Sequence, residues 1–136
     1  MSVAAYKRII EETESPRQIE RRLLARLAGQ LEQHQHYFDA APQDQRLGLL
    51  AGELSDVLWQ NERLWQALMF DVADSGNSLP APVRAAILSI GNWVERHTMA
   101  VLGGKANIAP LSNVNRSIER GLAGQVEPVR AAPEVA

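Results

Sequence analysis

The sequence predicts an all-α protein, a single-domain bundle of about four to five helices with a disordered C-terminal tail. Three observations carry this expectation. Apolar residues recur at three–four spacing through most of the chain, with Leu47, Leu50, Leu54, Val57, Leu64 and Leu68 the longest such run. The two-residue alternation of a half-buried strand is not evident anywhere. The apolar runs are bounded by helix caps and turn residues: Ser15-Pro16, the stretch "DSGNSLPAP" and Gly103-Gly104. A length of 136 residues suits one modest core. Hydrophobic residues make up 46% of the chain and aromatics only 5%, so the core falls mostly to Leu, Ile, Val and Ala.

A short amphipathic opening around Tyr6, Ile9 and Ile10 precedes the first cap. Ser15 followed by Pro16 is a helix start, because proline at the first helical position gives up no needed N–H. Gln18 completes a Ser-x-x-Gln capping box. Ile19, Leu23, Leu27 and Leu31 then recur every four residues, with Leu24 and Ala28 beside them, and this helix is expected to end near Phe38, before "DAAPQDQ". The longest run follows. Leu47 to Leu68, widened by Leu58, Trp65 and Val72, reads as one helix of roughly seven turns at 3.6 residues per turn. Asn61 interrupts its seam, either as a buried amide that fixes pairing register or as an exposed or locally bonded one.

Gly76, Asn77, Pro80 and Pro82 end that helix in a tight turn. The next helix carries Val83, Ile87, Ile90, Val94, His97 and Val101 on one broad face, and Gly103-Gly104 closes it. After "KANIAP", Leu111, Val114, Ile118 and Leu122 form a short amphipathic helix. The helical domain is placed at residues 1–122 and the tail, small and proline-containing, at 123–136.

Composition narrows the function classes. Cysteine is absent, which removes disulfides, thiol nucleophiles and cysteine zinc sites and suits a reducing compartment. No run of about 18 apolar residues exists to span a membrane. The opening "MSVAAYKRIIEETE" turns acidic where a secretory signal needs apolar residues, so a cytoplasmic protein is expected. Net charge is −2 with the signs interspersed. The nearest basic groups, Arg17, Arg21, Arg22 and Arg116, Arg120, Arg130, include glutamates, so direct nucleic-acid binding is not expected.

Catalytic and metal readings find no support. In "NWVERHTMAVLGG", Glu95 lies two residues from His97, roughly 200° around a helix. His34 and His36 diverge in the same way, and the spacing that puts two histidines on one face for zinc is missing. His97 is therefore expected to be a hydrogen-bonded core or boundary residue. "LGGK" ends a helix and lacks the pattern of a phosphate loop, no Gly-x-Ser-x-Gly elbow is present, and the carboxylates of "EETE" suit a solvated face. The expectation is a non-enzyme without metal or cofactor.

A partner surface is better supported. Trp59 lies outside the seam, and Phe70, eleven residues on, falls within roughly 20° of the same face, with Glu62, Arg63 and Gln66 between them. Aromatic anchors with a polar rim are the usual composition of an interface. The alternative is that another helix of the same chain covers them.

The segments "SPRQIERRLL", "NERLWQALMFDVADSGNSLP" and "SIGNWVERHTMAVLGGKANIAPLSNVNRSIERGL" together resemble the FlaF family of small helical flagellar regulators, from about Tyr6 to Leu122. The order and spacing carry the resemblance: Asn61 with Leu64-Trp65, the Asp74-x-Gly76-Asn77 turn, the Trp93-Val94-x-Arg96-His97-Thr98 run, and Asn115-Arg116. Residues 38–54 contribute no matching motif, and "SNVNR" lacks the acidic residue expected before its Asn-Arg pair.

The resemblance implies a role in flagellin synthesis and export, beside the FlbT regulator that restrains flagellin translation. It further implies that the chain engages flagellin as a dedicated chaperone or assembly factor. The alternative is a post-transcriptional regulator acting on flagellin mRNA directly or through FlbT. A self-associating bundle built on the Asn61 seam is a third possibility. An amphipathic client helix would need an apolar groove. Two places are expected: the Trp59–Arg63–Phe70 face, or the side of the last helix at Leu111, Val114 and Ile118, which a loop containing Gly103, Gly104 and Pro110 would allow to swing.

Overall fold

Ser15 opens the first helix, α1 (Pro16–Ala40), with the expected reciprocal cap: its hydroxyl accepts from the Gln18 N–H at 3.1 Å, and its own N–H donates to the Gln18 side chain at 3.0 Å. The helix ends where Ala41, forced extended by Pro42, can no longer continue it. The computed structural model describes residues 15–126, and within them five helices and no strand. After α1 come α2 (Gln43–Leu49), α3 (Glu53–Ala73), α4 (Ala81–Leu102) and α5 (Ala109–Val126). The amphipathic opening, the "EETE" carboxylates and residues 127–136 lie outside the described residues. The helical part extends past the expected boundary at Leu122, since α5 continues to Val126.

The long helix expected from Leu47 to Val72 is two helices. Gly52, at φ 83 and ψ −133, turns the chain between α2 and α3, a conformation that only glycine adopts without strain. The break lets Leu50 and Leu54 both enter the core while Leu47 is left 61% exposed. At the other end of α3, the turn is built from side chains bonded to backbone. Asp74 accepts from the Gly76 N–H at 3.1 Å, Asn77 donates to Asp71 at 3.0 Å, and Asn77 accepts from the Leu79 N–H at 2.9 Å, which seats Leu79 in the core.

The two glycines that end α4 have different tasks. Gly104 takes φ 75, and it and Lys105 donate back to Val101 and Ala100, the paired bonds of a Schellman cap. Gly103 has an ordinary negative φ. The loop that follows is clamped from three sides. Asp39, at the end of α1, accepts from the N–H groups of Ile108 and Ala109 at 2.7 and 3.0 Å, a carboxylate seated at the N-terminus of α5. Arg46 donates to the Asn107 side chain at 3.0 Å and to the Asp39 carbonyl at 2.8 Å. His97, stacked on Trp93, donates from Nε2 to the Asn107 carbonyl at 2.7 Å. His97 is thus the boundary histidine expected, with Val94 buried and Arg96 exposed beside it.

Helices α1 and α5 run antiparallel, as polar pairs step in opposite directions along them: Asp39 with Ala109, Gln35 with Ser112 at 2.6 Å, and Glu32 with Arg116 at 2.7 Å. Arg116 holds the Glu32 carboxyl below its ordinary pKa by donating to it, and its own pKa is raised by the same bond. Helices α3 and α4 form an antiparallel hairpin that closes tightly at Gly91, where a Cβ would sit 2.3 Å from the Met69 sulfur. The two pairs meet through an apolar core centred on Trp65, Phe38, Leu31, Leu58 and Val94.

One polar chain crosses that core. The Trp65 indole donates to Asn115 Oδ1 at 2.8 Å, and Asn115 Nδ2 donates to Asn61 Oδ1 at 2.7 Å. All three residues are fully buried. The indole can only donate, so both amide orientations follow from it. Asn61 is therefore the buried, register-fixing amide, and the helix it addresses is α5 of the same chain. Its Nδ2 is left without a partner.

Two substitutions separate the roles in this chain. Asn115→Ala strands a buried indole N–H and the Asn61 amide, an expected loss of about 2–4 kcal/mol in urea unfolding. Asn61→Ala strands one amide hydrogen but also removes the donor that lacks a partner, so a smaller loss is expected. Equal losses would contradict the directed chain.

Candidate functional site

With its inner face consumed by the core, α3 still carries large apolar side chains on its outer face. Trp59 is 55% exposed and Phe70 84% exposed, so no helix among the described residues covers them. The Arg63 guanidinium lies over the Trp59 ring, 4.9 Å from its centre. Beside Trp59 runs a groove of ≈ 380 Å³ between α1 and α3, with Leu23, Leu27 and Leu64 in its apolar lining and Arg26, Gln60, Arg63 and Ala67 completing it. Trp59 and Arg63 line this groove, whereas Phe70 lies beyond its end at Ala67.

The second expected place is corrected by the structure. Leu111 is a core residue with no exposed surface, so it is unavailable to a partner. Val114 is half-buried against the core, and only Ile118 reaches a surface groove, a smaller one of ≈ 240 Å³ with Pro82, Ala86 and Leu122. Nor does α5 hang on a loose loop. Asp39, Arg46 and His97 clamp the connection, Pro110 lies within the first turn of α5, and Asn115 ties the helix to α3.

Several other charged groups that the sequence offered are engaged in the architecture. Arg17 pairs with Glu20, Arg21 with Glu119 at 3.2 Å, and Arg116 with Glu32. Burial pushes the Glu20 carboxyl above its ordinary pKa, with Asp71 adding to the shift and Arg17 opposing it. His34 is buried between the Tyr37 hydroxyl and Glu53 Oε1, the latter at 3.1 Å, while His36 is exposed. No group of three or more potential metal ligands forms among the described residues. No helix among them is long and apolar enough to cross a membrane.

Of the groove's lining, the sequence singled out only Trp59 and Arg63; Leu23, Arg26, Leu27, Gln60, Leu64 and Ala67 were missed as parts of it. Arg26 carried a legible signal: it stands one turn beyond Arg22, on the outer flank of the Leu23–Leu27 stripe.

Fold and face together describe a small helical bundle that exposes aromatic side chains and arginines on the outer side of α3 and along the α1–α3 groove. The family model described as Flagellar protein FlaF matches residues 2–122. The chain belongs to the FlaF family. No curated protein and no solved structure matches it.

Truncations distinguish accessible from core positions. Phe70→Ala is expected to change unfolding stability by no more than about 0.5 kcal/mol, and Trp59→Ala by up to about 1 kcal/mol through the lost cation–π contact. Leu111→Ala is expected to cost about 2–5 kcal/mol. A Trp59 or Phe70 variant that melts like the Leu111 variant would show the α3 face to be core.

Proposed function

We propose that this flagellar protein binds flagellin in the cytoplasm, as a chaperone or assembly factor acting in flagellin synthesis and export, and that it does so through the outer face of α3. Family membership supports the flagellar setting. The observation that carries the binding face is the exposure of Trp59 and Phe70 on a helix whose opposite side is fully packed. Solvent-exposed aromatics with a guanidinium stacked on one of them supply large contact area at low cost in side-chain freedom. The clamped α5 favours a rigid bundle offering a preformed surface, so the client does the rearranging.

A folded receptor and an unassembled client give modest, reversible affinity, because ordering the client offsets part of the contact energy. Reversibility is what a carrier of export cargo requires.

The test is a mixture of the full chain with monomeric flagellin, analysed by size exclusion with light scattering. A complex of defined stoichiometry is expected, with Trp59→Ala/Phe70→Ala raising its Kd at least about tenfold while helicity is kept. Absence of a complex at micromolar concentrations would overturn the reading and direct the search to FlbT and flagellin mRNA.

A further inference from the structure

The α1–α3 groove combines three features: an apolar lining, an aromatic wall, and two guanidinium groups. Arg26 on α1 and Arg63 on α3 stand at this groove, and neither bonds a carboxylate among the described residues. Elsewhere Arg17, Arg21 and Arg116 each do. Asp56, one turn before Gln60 on α3, accepts from the Gln60 amide at 3.0 Å.

We propose that the groove's occupant is an amphipathic helix of a partner protein, bearing carboxylates beside its apolar anchors. The inference rests on the client-binding reading for the biological setting and adds the chemistry by which the client is selected. Its apolar residues would cover Leu23, Leu27 and Leu64, and its carboxylates would meet the guanidinium groups of Arg26 and Arg63. A groove between two helices accepts a third through anchors spaced three and four residues apart. Guanidinium groups favour carboxylates because the fork of donors matches two oxygens. Two cations beside an apolar lining are too few to track a phosphate backbone, which gains its affinity from many neutralised phosphates.

The test uses two fluorescein-labelled helical peptides with the same apolar stripe, flanked by Glu in one and by Lys in the other. Fluorescence anisotropy measures their binding to the full chain and to R26E/R63E, with circular dichroism confirming that the variant is folded. The Glu peptide is expected to bind the wild-type chain at least tenfold more tightly, and the preference is expected to invert on R26E/R63E. Should that variant fail to fold, R26Q/R63Q is expected to bind both peptides alike.

Failure of both peptides to bind, equal binding by the wild-type chain, or an unchanged ranking on the charge variants would overturn the proposal. So would a single-stranded RNA oligonucleotide that binds in their place with the same sensitivity to R26E/R63E. A flagellin complex that forms equally with R26E/R63E would remove this inference and leave the client reading standing. Selective Glu-peptide binding without any flagellin complex would do the reverse.

Discussion

The buried hydrogen-bond chain from Trp65 through Asn115 to Asn61 constrains the rest of the molecule. An indole N–H can only donate, so it fixes which end of the Asn115 amide meets Trp65 and which meets Asn61, both on α3, and Asn115 then fixes Asn61. A register shift of α5 would leave several buried polar groups without partners, each at a cost of about 1–3 kcal/mol. With Asn115 held under Trp65, the start of α5 falls where the Asp39 carboxylate can cap it. The Ser112 and Arg116 side chains then fall opposite Gln35 and Glu32. One directional core interaction and a ladder of surface pairs thus agree on a single alignment of α1, α3 and α5.

This closure shapes what the protein offers to others. The seam of α3, which resembles a coiled-coil stripe in sequence, addresses α1, α4 and α5 of its own chain. The loop before α5 is held by an acid, a guanidinium and an imidazole from three different helices. Large apolar side chains that the core does not use therefore stand out by contrast. On α3 they come with a neighbouring groove and with arginines that no carboxylate among the described residues neutralises. The fold makes a closed platform, and the recognition chemistry proposed for it is on the outside.

Much of the fold was legible because its local devices are written in adjacent residues. Ser15-Pro16 with Gln18, the Asp74–Asn77 turn and the glycine closing α4 all act within a few positions. The break at Gly52 was hidden for a physical reason: Leu47, Leu50 and Leu54 keep a helical spacing across it, and a lone glycine is tolerated within helices. The partner of Asn61 was equally hidden, because Asn115 is 54 residues away and only packing brings the two together. Several residues that carry the family resemblance prove to be architectural. Asn61, Trp65 and Asn115 form the core chain, Asp74 and Asn77 the turn, and Trp93 and His97 the loop clamp. Leu64 apart, the groove lies on the less distinctive residues between them, so the resemblance located the fold better than the candidate site. Leu111 illustrates the remaining error. Amphipathic spacing shows that a helix has two faces, but not which neighbouring helix already covers the apolar one.

The three tryptophans allow one measurement to test the combined claim of a closed core and an outward-facing site. In the nitrogen-15-labelled chain, each indole N–H gives its own magnetic-resonance signal, and these can be followed as monomeric flagellin is added. The expected result is a shift or broadening of the Trp59 signal while the Trp65 signal, bonded to Asn115, stays in place. A Trp65 signal that moves while Trp59 stays fixed would contradict the account, since binding would then require the core to open.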